Sequence, residues 1–375
     1  MSKLIPYADR LARSLWERAA RNISTDLTSL ALFRIVFGLF SLLFLTPSFG
    51  WIKDAPQAFF DPPYLSFANL LPSFPGGAFF ATLDVLAVLL LVFITLGVKA
   101  RLSAVAFFII TVTGDSFAYS FGKIDHSFLS AVLPLCLAFS GWGTKYALLP
   151  DKPRRLDSVG LSLSAYAVLV AFGMFTAGFV KSLFWVDFNV STSGFLSWFY
   201  GGYYNLGRTN LLASLVPLVP TTFFELADYA AVAFELSGFL FLLSGRRAWR
   251  LWLTLAATFH LLNVLTLNIG FISHFVVYLA FVDFSKLAGV WEPRRKPLKI
   301  GLVALTAALG LAHLGGLYTG NTFSLAGWLA PANSRLLGLY FAVGIWLSAF
   351  LILGWNLYAA RGKREPALSA QRQPS

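Results

Sequence analysis

Apolar runs of about 20 residues recur from one end of this chain to the other, and basic segments separate them in alternation. A helix needs a run of that length to cross the hydrocarbon of a bilayer. At that depth the backbone polar groups must be satisfied within the element itself. The pattern predicts an all-α, polytopic integral membrane bundle of about ten transmembrane spans, read as 28–49, 78–98, 102–122, 126–143, 158–182, 222–244, 250–270, 271–285, 300–319 and 335–358. Residues 250–285 supply barely enough chain for two crossings, which predicts a short, tilted or re-entrant pair there.

Charge sets the topology. Only 12% of residues are charged, against about 25% in a soluble domain. The net charge is +12, and 23 of the 29 Lys and Arg fall in residues 1–27, 99–101, 145–157, 245–250, 284–299 and 359–375. These segments occupy every second connection, as the positive-inside rule requires of cytoplasmic loops. The reading is a multi-pass protein of the inner (cytoplasmic) membrane with both termini cytoplasmic. Residues 1–27 form an amphipathic cytoplasmic or interfacial leader, with helical spacing of apolar residues over 4–23. Residues 28–358 form the transmembrane domain, and 359–375 a basic, disordered cytoplasmic tail. The leader is no cleavable signal peptide, because the apolar span behind it is too long for an h-region. Nucleic acid is excluded as a partner: no basic stripe interleaved with aromatics lies on a water-facing element. Membrane lipids are the expected surroundings.

Cofactor chemistry is constrained by what is scarce. The lone cysteine, Cys136, rules out an internal disulfide and a cysteine-based zinc site. Four scattered histidines give no ligand spacing, so no metal is expected. There is no phosphate-cradling Gly-rich loop, no HExxH and no nucleophile elbow, and no internal repeat of the kind many transporters carry. Two long connections, 50–77 and 183–221, are too aromatic for solvated linkers and belong at the membrane interface.

Ionisable residues within the spans are therefore the informative ones, since each costs about 2.5–3.5 kcal/mol at mid-bilayer. They are Arg34, Asp84, Asp115, Lys181, Glu225, Asp228, Glu235 and His260, with Lys123, Asp125 and His126 at a turn. Glu225, Asp228 and Glu235 fall within about 80° on one helix face. They are expected to be buried and not all ionised, with Gln at 235 close to neutral for folding. His260 and Asn263 share a face one turn apart. His274 and His313 read as packing residues.

Several strings together resemble the horizontally transferred transmembrane (HTTM) family, which includes the membrane part of the vitamin K-dependent γ-carboxylase. FRIVFG (33–38) is similar to its first span, and LGVKARLSAV (96–105) with DHSFL (125–129) to its third-to-fourth passage, with His126 on the family histidine. FTAGFVKSLFW (175–185) and FHLLNVLTLNIGF (259–271) resemble two further segments, so the likeness covers about residues 28–285. It implies the fold and a pocket for a hydrophobic ligand. It does not imply carboxylation of glutamate: Tyr119 or Ser120 stands where the family's catalytic lysine is expected, Lys123 is displaced by about one turn, and the proline after Ile269-Gly270-Phe271 is missing. The large lumenal domain of the carboxylase is also not in this sequence.

The expectation is an outward-opening polar intramembrane cavity for a lipophilic, quinone-like or lipid-linked ligand. Lys123, His126 and Lys181 are its candidate catalytic residues, and Arg34, Glu225, His260 and Asn263 its ligand-binding ones. Two other readings stand beside it: a non-catalytic maturation or immunity partner of a secreted peptide, and a proton-coupled transporter using the acidic stripe.

Overall fold

The computed structural model describes residues 4–23, 25–122, 124–154, 157–291 and 295–362. They fold into helices: α1 (Leu4–Asn22), α2 (Leu27–Phe40), α3 (Gly77–Leu96), α4 (Ala100–Ala118), α5 (Phe128–Ala138), α6 (Val159–Ser182), α7 (Gly194–Tyr200), α8 (Thr221–Leu236), α9 (Gly238–Ser244), α10 (Arg246–Leu267), α11 (His274–Leu279), α12 (Ser285–Trp291), α13 (Arg295–Tyr318), α14 (Leu325–Leu329) and α15 (Ser334–Tyr358). Among the described residues seven helical stretches are long and apolar enough to cross a membrane, and an eighth forms if α8 and α9, bent by 51° at Ser237, count as one. The chain is a multi-pass helical membrane protein.

Hydrogen bonds gather the basic segments at one end of the bundle. The buried Arg34 guanidinium donates from Nη2 to the Tyr146 carbonyl at 2.6 Å. Lys145 donates to Thr28 Oγ1 at 2.9 Å. Arg101 donates from Nη2 to both oxygens of Asp157 at 2.5 Å, a charge-assisted contact. Arg250 donates to the Asn356 carbonyl at 2.7 Å and Asn22 to the Leu242 carbonyl at 2.7 Å. Segments 22–34, 99–101, 145–157, 242–250 and 356–360 therefore share one end, here the basic end. Asp26 caps α2 there through the Thr28 and Ser29 N–H groups.

The opposite end is aromatic. The connection 50–76 folds into short 3₁₀ turns over a cluster of Phe49, Phe74, Phe80 and Phe117. Asp84, about two turns into α3, ties this cap down by accepting from the Phe49 and Gly50 N–H groups at 2.6 and 2.9 Å. Small residues set the spacing of the helices between. A Cβ on Gly38 would stand 2.0 Å from Thr95 Oγ1, and one on Gly178 would stand 2.8 Å from Glu235 Cβ. The α2–α3 and α6–α8 pairs thus pack backbone to backbone.

Two of the expected spans hold short helices. The span expected over 126–143 contains a helix of only 11 residues with Pro134 inside it, which the sequence did not suggest, and the one expected over 271–285, read as part of a short pair, a helix of 6. At 1.5 Å per residue these reach about 16 Å and 9 Å, well short of the roughly 30 Å hydrocarbon thickness. Its expected partner, 250–270, is full length instead, because α10 begins at Arg246 and runs for 22 residues. The tail expected beyond 359 lies outside the described residues except for a 3₁₀ turn over Ala359–Gly362.

Candidate functional site

The half-length helices decide where the site sits. Ala138, the last residue of α5, already belongs to the basic end, where its carbonyl accepts from Arg101 Nε at 3.2 Å. Counting back along α5 places His126 only about 16–18 Å from that end, near the middle of a membrane-sized bundle. From α11 the chain likewise reaches the basic end within a few residues, where Ser29 donates to Asp283 at 3.1 Å. His260, 14 residues into α10, lies about 21 Å from the basic end. The helical parts of α5 and α11 thus reach only about halfway from the basic end.

Three histidines meet where α5 and α11 begin. The His126 and His274 rings are 5.1 Å apart, and those of His274 and His260 are also 5.1 Å apart. Phe271 stands between the outer two, 4.5 Å from His126 and 4.9 Å from His260. His126 is exposed, whereas His260 and His274 are each 2% exposed. Access thus falls from the first ring to the third. Tyr278 Oη is hydrogen-bonded to His260 Nε2 at 2.8 Å and lies 3.8 Å from Met174 Sδ. The Nδ1 atoms of His260 and His274 have no partner among the described residues. A strained backbone holds the group together: Phe271 has φ +43, which costs a bulky L-residue free energy. Trp346 repays part of this by donating to the Gly270 carbonyl at 2.6 Å while stacking on His260.

Next to the histidines lies a cavity of about 180 Å³ between α2, α4 and α5. Its polar wall is Ser41, Thr111, Asp115, Ser127, Ser130 and Ser273, and its apolar wall includes Phe37, Leu45, Phe107 and Ala131. Ser127 follows His126 and Ser273 precedes His274, so cavity and ring cluster share two boundaries. The α2 helix widens into a π-helical turn over Ser41–Leu45 where it passes the cavity. Such a turn leaves carbonyls outside the α-helical pattern; His313 Nε2 serves one, donating to the Leu42 carbonyl at 2.7 Å. His313 is thereby a structural residue of the cavity wall.

The expected site residues divide among several places. His126 and His260 come together, and His274, read from sequence as a packing residue, lies between them. Lys181 is close by: its Nζ is 5.7 Å from the Phe259 ring and 5.3 Å from that of Trp185, and it forms an ion pair with Glu235. Asn263 is half-buried one turn beyond His260, but its side chain makes no hydrogen bond to a described residue. Arg34 stands apart at the basic end, where it ties α2 to Tyr146. Glu225 also stands apart, against Asp187 and Tyr229 beneath the 183–221 connection. Of these described residues none is in the wall of the 180 Å³ cavity. Lys123 lies outside the described residues.

The acidic stripe is buried, as expected, and serves the scaffold. Glu225, Asp228 and Glu235 are all 2% exposed or less. Asp228 accepts from the Ser193 hydroxyl at 2.7 Å and the Phe195 N–H at 3.0 Å, anchoring the start of α7. In the connection above, Asp187 accepts from the Asn189 N–H and the Thr192 hydroxyl, both at 2.9 Å, which hold its carboxyl below the usual range. Among the described residues no three His, Cys, Asp or Glu side chains are arranged to hold a metal ion.

Fold and site together define a multi-pass helical membrane protein with a histidine cluster and a hydroxyl-lined cavity at mid-depth. Comparison with family models, curated proteins and solved structures finds no match.

Proposed function

We propose that this chain is an HTTM-type protein of the inner membrane, passing through it ten times with both termini cytoplasmic. In this reading the basic end faces the cytoplasm, and α5 and α11 are half-length passes. An indentation above them opens outward and receives the head of a lipophilic, quinone-like or lipid-linked molecule whose tail stays in the bilayer. One observation carries the reading: an exposed histidine and a polar cavity lie about halfway through a bundle built to span a bilayer. The cavity volume supports a head group in particular, because pockets that engulf whole ligands run from about 300 to 1,000 Å³. Ser41, Thr111, Ser127, Ser130 and Ser273 would orient that head, and His126 is the group placed to exchange a proton with it.

Glutamate carboxylation is not part of this proposal. Tyr119 stands near the position of the family's lysine base, and its hydroxyl is engaged with Ser127 Oγ at 3.1 Å. Nor does the acidic stripe favour a proton route, since Glu235 is paired with Lys181 and Asp228 is committed to α7. The test fills the cavity. Solvent extraction of purified protein, followed by mass spectrometry, should find a bound lipophile in the wild type that is lost in both Ala131→Trp and Ser130→Phe. Equal retention in folded variants, or no lipophile in the wild type, would overturn the reading.

A further inference from the structure

Among the described residues the hydroxyl-lined cavity has one charged wall residue, Asp115, and it has no partner among them. Asp115 lies 15 residues into α4, about 22 Å from the basic end, and is half-buried. Its carboxylate makes no hydrogen bond or ion pair with a described residue, which sets it apart from Asp84, Asp157, Asp228 and Glu235. One turn earlier on the same helix, Thr111 presents a buried Oγ1 that has no partner among the described residues. Both line the cavity. A second carboxylate, Asp125, acts on Asp115 through space from the adjoining turn, and it accepts from the Ser127 N–H at 2.8 Å. The neighbouring His126 is exposed.

We propose that the cavity takes a primary ammonium head group, with Asp115 as its counter-ion and Thr111 among its hydrogen-bond acceptors; this rests on the head-group reading above. An ammonium has three donors and no acceptor, and a carboxylate accepts only. The two are complementary, and a charge-assisted bond between them is about twice as strong as a neutral one. Hydroxyl oxygens at Ser41, Ser130 and Ser273 offer acceptors for the remaining N–H bonds. A neutral carbonyl or hydroxyl head would fill the volume but forgo the charge-assisted bond, leaving the carboxyl either unpaired or protonated. An anionic head would be repelled by both Asp115 and Asp125. A trimethylated head has no N–H to donate and more bulk.

The experiment uses the full chain in lipid nanodiscs with three probes of equal chain length: octylammonium, 1-octanol and octyltrimethylammonium. Binding is measured by calorimetry, with the empty-nanodisc signal subtracted. Octylammonium should bind wild type at least about tenfold more tightly than the other two, the preference expected of a bond to a charged group. Asp115→Asn should abolish that preference, Thr111→Val should weaken octylammonium binding, and Asp125→Asn should leave the preference in place. Asp115→Glu, which keeps the charge, should retain it and guards against a folding defect in the Asn variant. Equal binding of octylammonium and octanol, with both lost in Ala131→Trp, would overturn the amine assignment while keeping the cavity as a head-group site. Failure of all three probes to bind wild type would overturn both.

Discussion

Glu235→Leu should destabilise the folded protein by about 3–5 kcal/mol, the usual cost of leaving one member of a buried ion pair uncompensated. A denaturing-detergent titration reads it as a lowered midpoint. Glu235 is 2% exposed and carries its partner Lys181 across the α6–α8 interface. The helices cannot move apart to let water in, because Gly178 brings the α6 backbone against Glu235 itself. Lys181→Met should cost less, since a buried carboxyl left alone takes up a proton. The double variant should lie closer to wild type than Glu235→Leu does, giving a coupling of about 2 kcal/mol or more. The pairing also revises what the sequence suggests for Gln at 235. In place of a near-neutral change, the Lys181 ammonium loses its charged partner, at about 1–3 kcal/mol. Additive single effects would contradict the pairing.

Gly97→Ala should cost about 3 kcal/mol or more at the opposite end of the molecule. Gly97 has φ +68, where an L-residue loses about 1–2 kcal/mol. The new methyl would stand 1.9 Å from Arg34 Nη1 and 2.6 Å from Ala147 Cβ. Overpacking of this kind adds about 1–3 kcal/mol. Relief requires the guanidinium to leave the Tyr146 carbonyl, which unties α2 from the 141–149 turn. Thermal unfolding should show the loss, with binding to the outer cavity unchanged in the fraction that folds. A loss below about 1 kcal/mol would show that Arg34 is not held there.

The basic segments made the bundle legible. Four of the six cationic stretches mark connections and two the termini, and the bonds of Arg101, Lys145 and Arg250, with Arg34 from α2, draw the described ones together. The short α11 falls where residues 250–285 left too little chain for two crossings, but the length of α5 was not legible. Residues 126–143 are apolar enough for a crossing, but Pro134 sits within the helix, which stops at Ala138. Hydropathy measures transfer to oil and is blind to where a helix stops inside protein. Placement of His126 and His260 in one site followed from their shared depth together with the resemblance, while His274 was missed because a single histidine in an apolar run has no periodic signal. The cavity wall was hidden for another reason. Serine and threonine in spans usually satisfy themselves on the preceding turn, as Thr95, Ser164 and Thr254 do here. Nothing in composition separates them from Thr111, whose hydroxyl faces a void. The π-helical turn at Ser41–Leu45 is likewise invisible to a search at 3.6 residues per turn. Arg34 and Glu225 were drawn into the site by the cost of burying charge, which each meets elsewhere.

The central claim is that His126 lies at the floor of an indentation open to the non-cytoplasmic side, deep in the bundle. It is tested most directly by placing cysteine there in a Cys136→Ser background and treating sealed cells with a membrane-impermeant thiol reagent. His126→Cys should be labelled from outside, as should the surface control Ser66→Cys. His260→Cys, shielded behind Phe271, and Arg247→Cys at the basic end should stay unlabelled until the membrane is opened, and then only Arg247→Cys should react. Protection of His126→Cys in sealed cells, with Ser66→Cys labelled, would contradict the account.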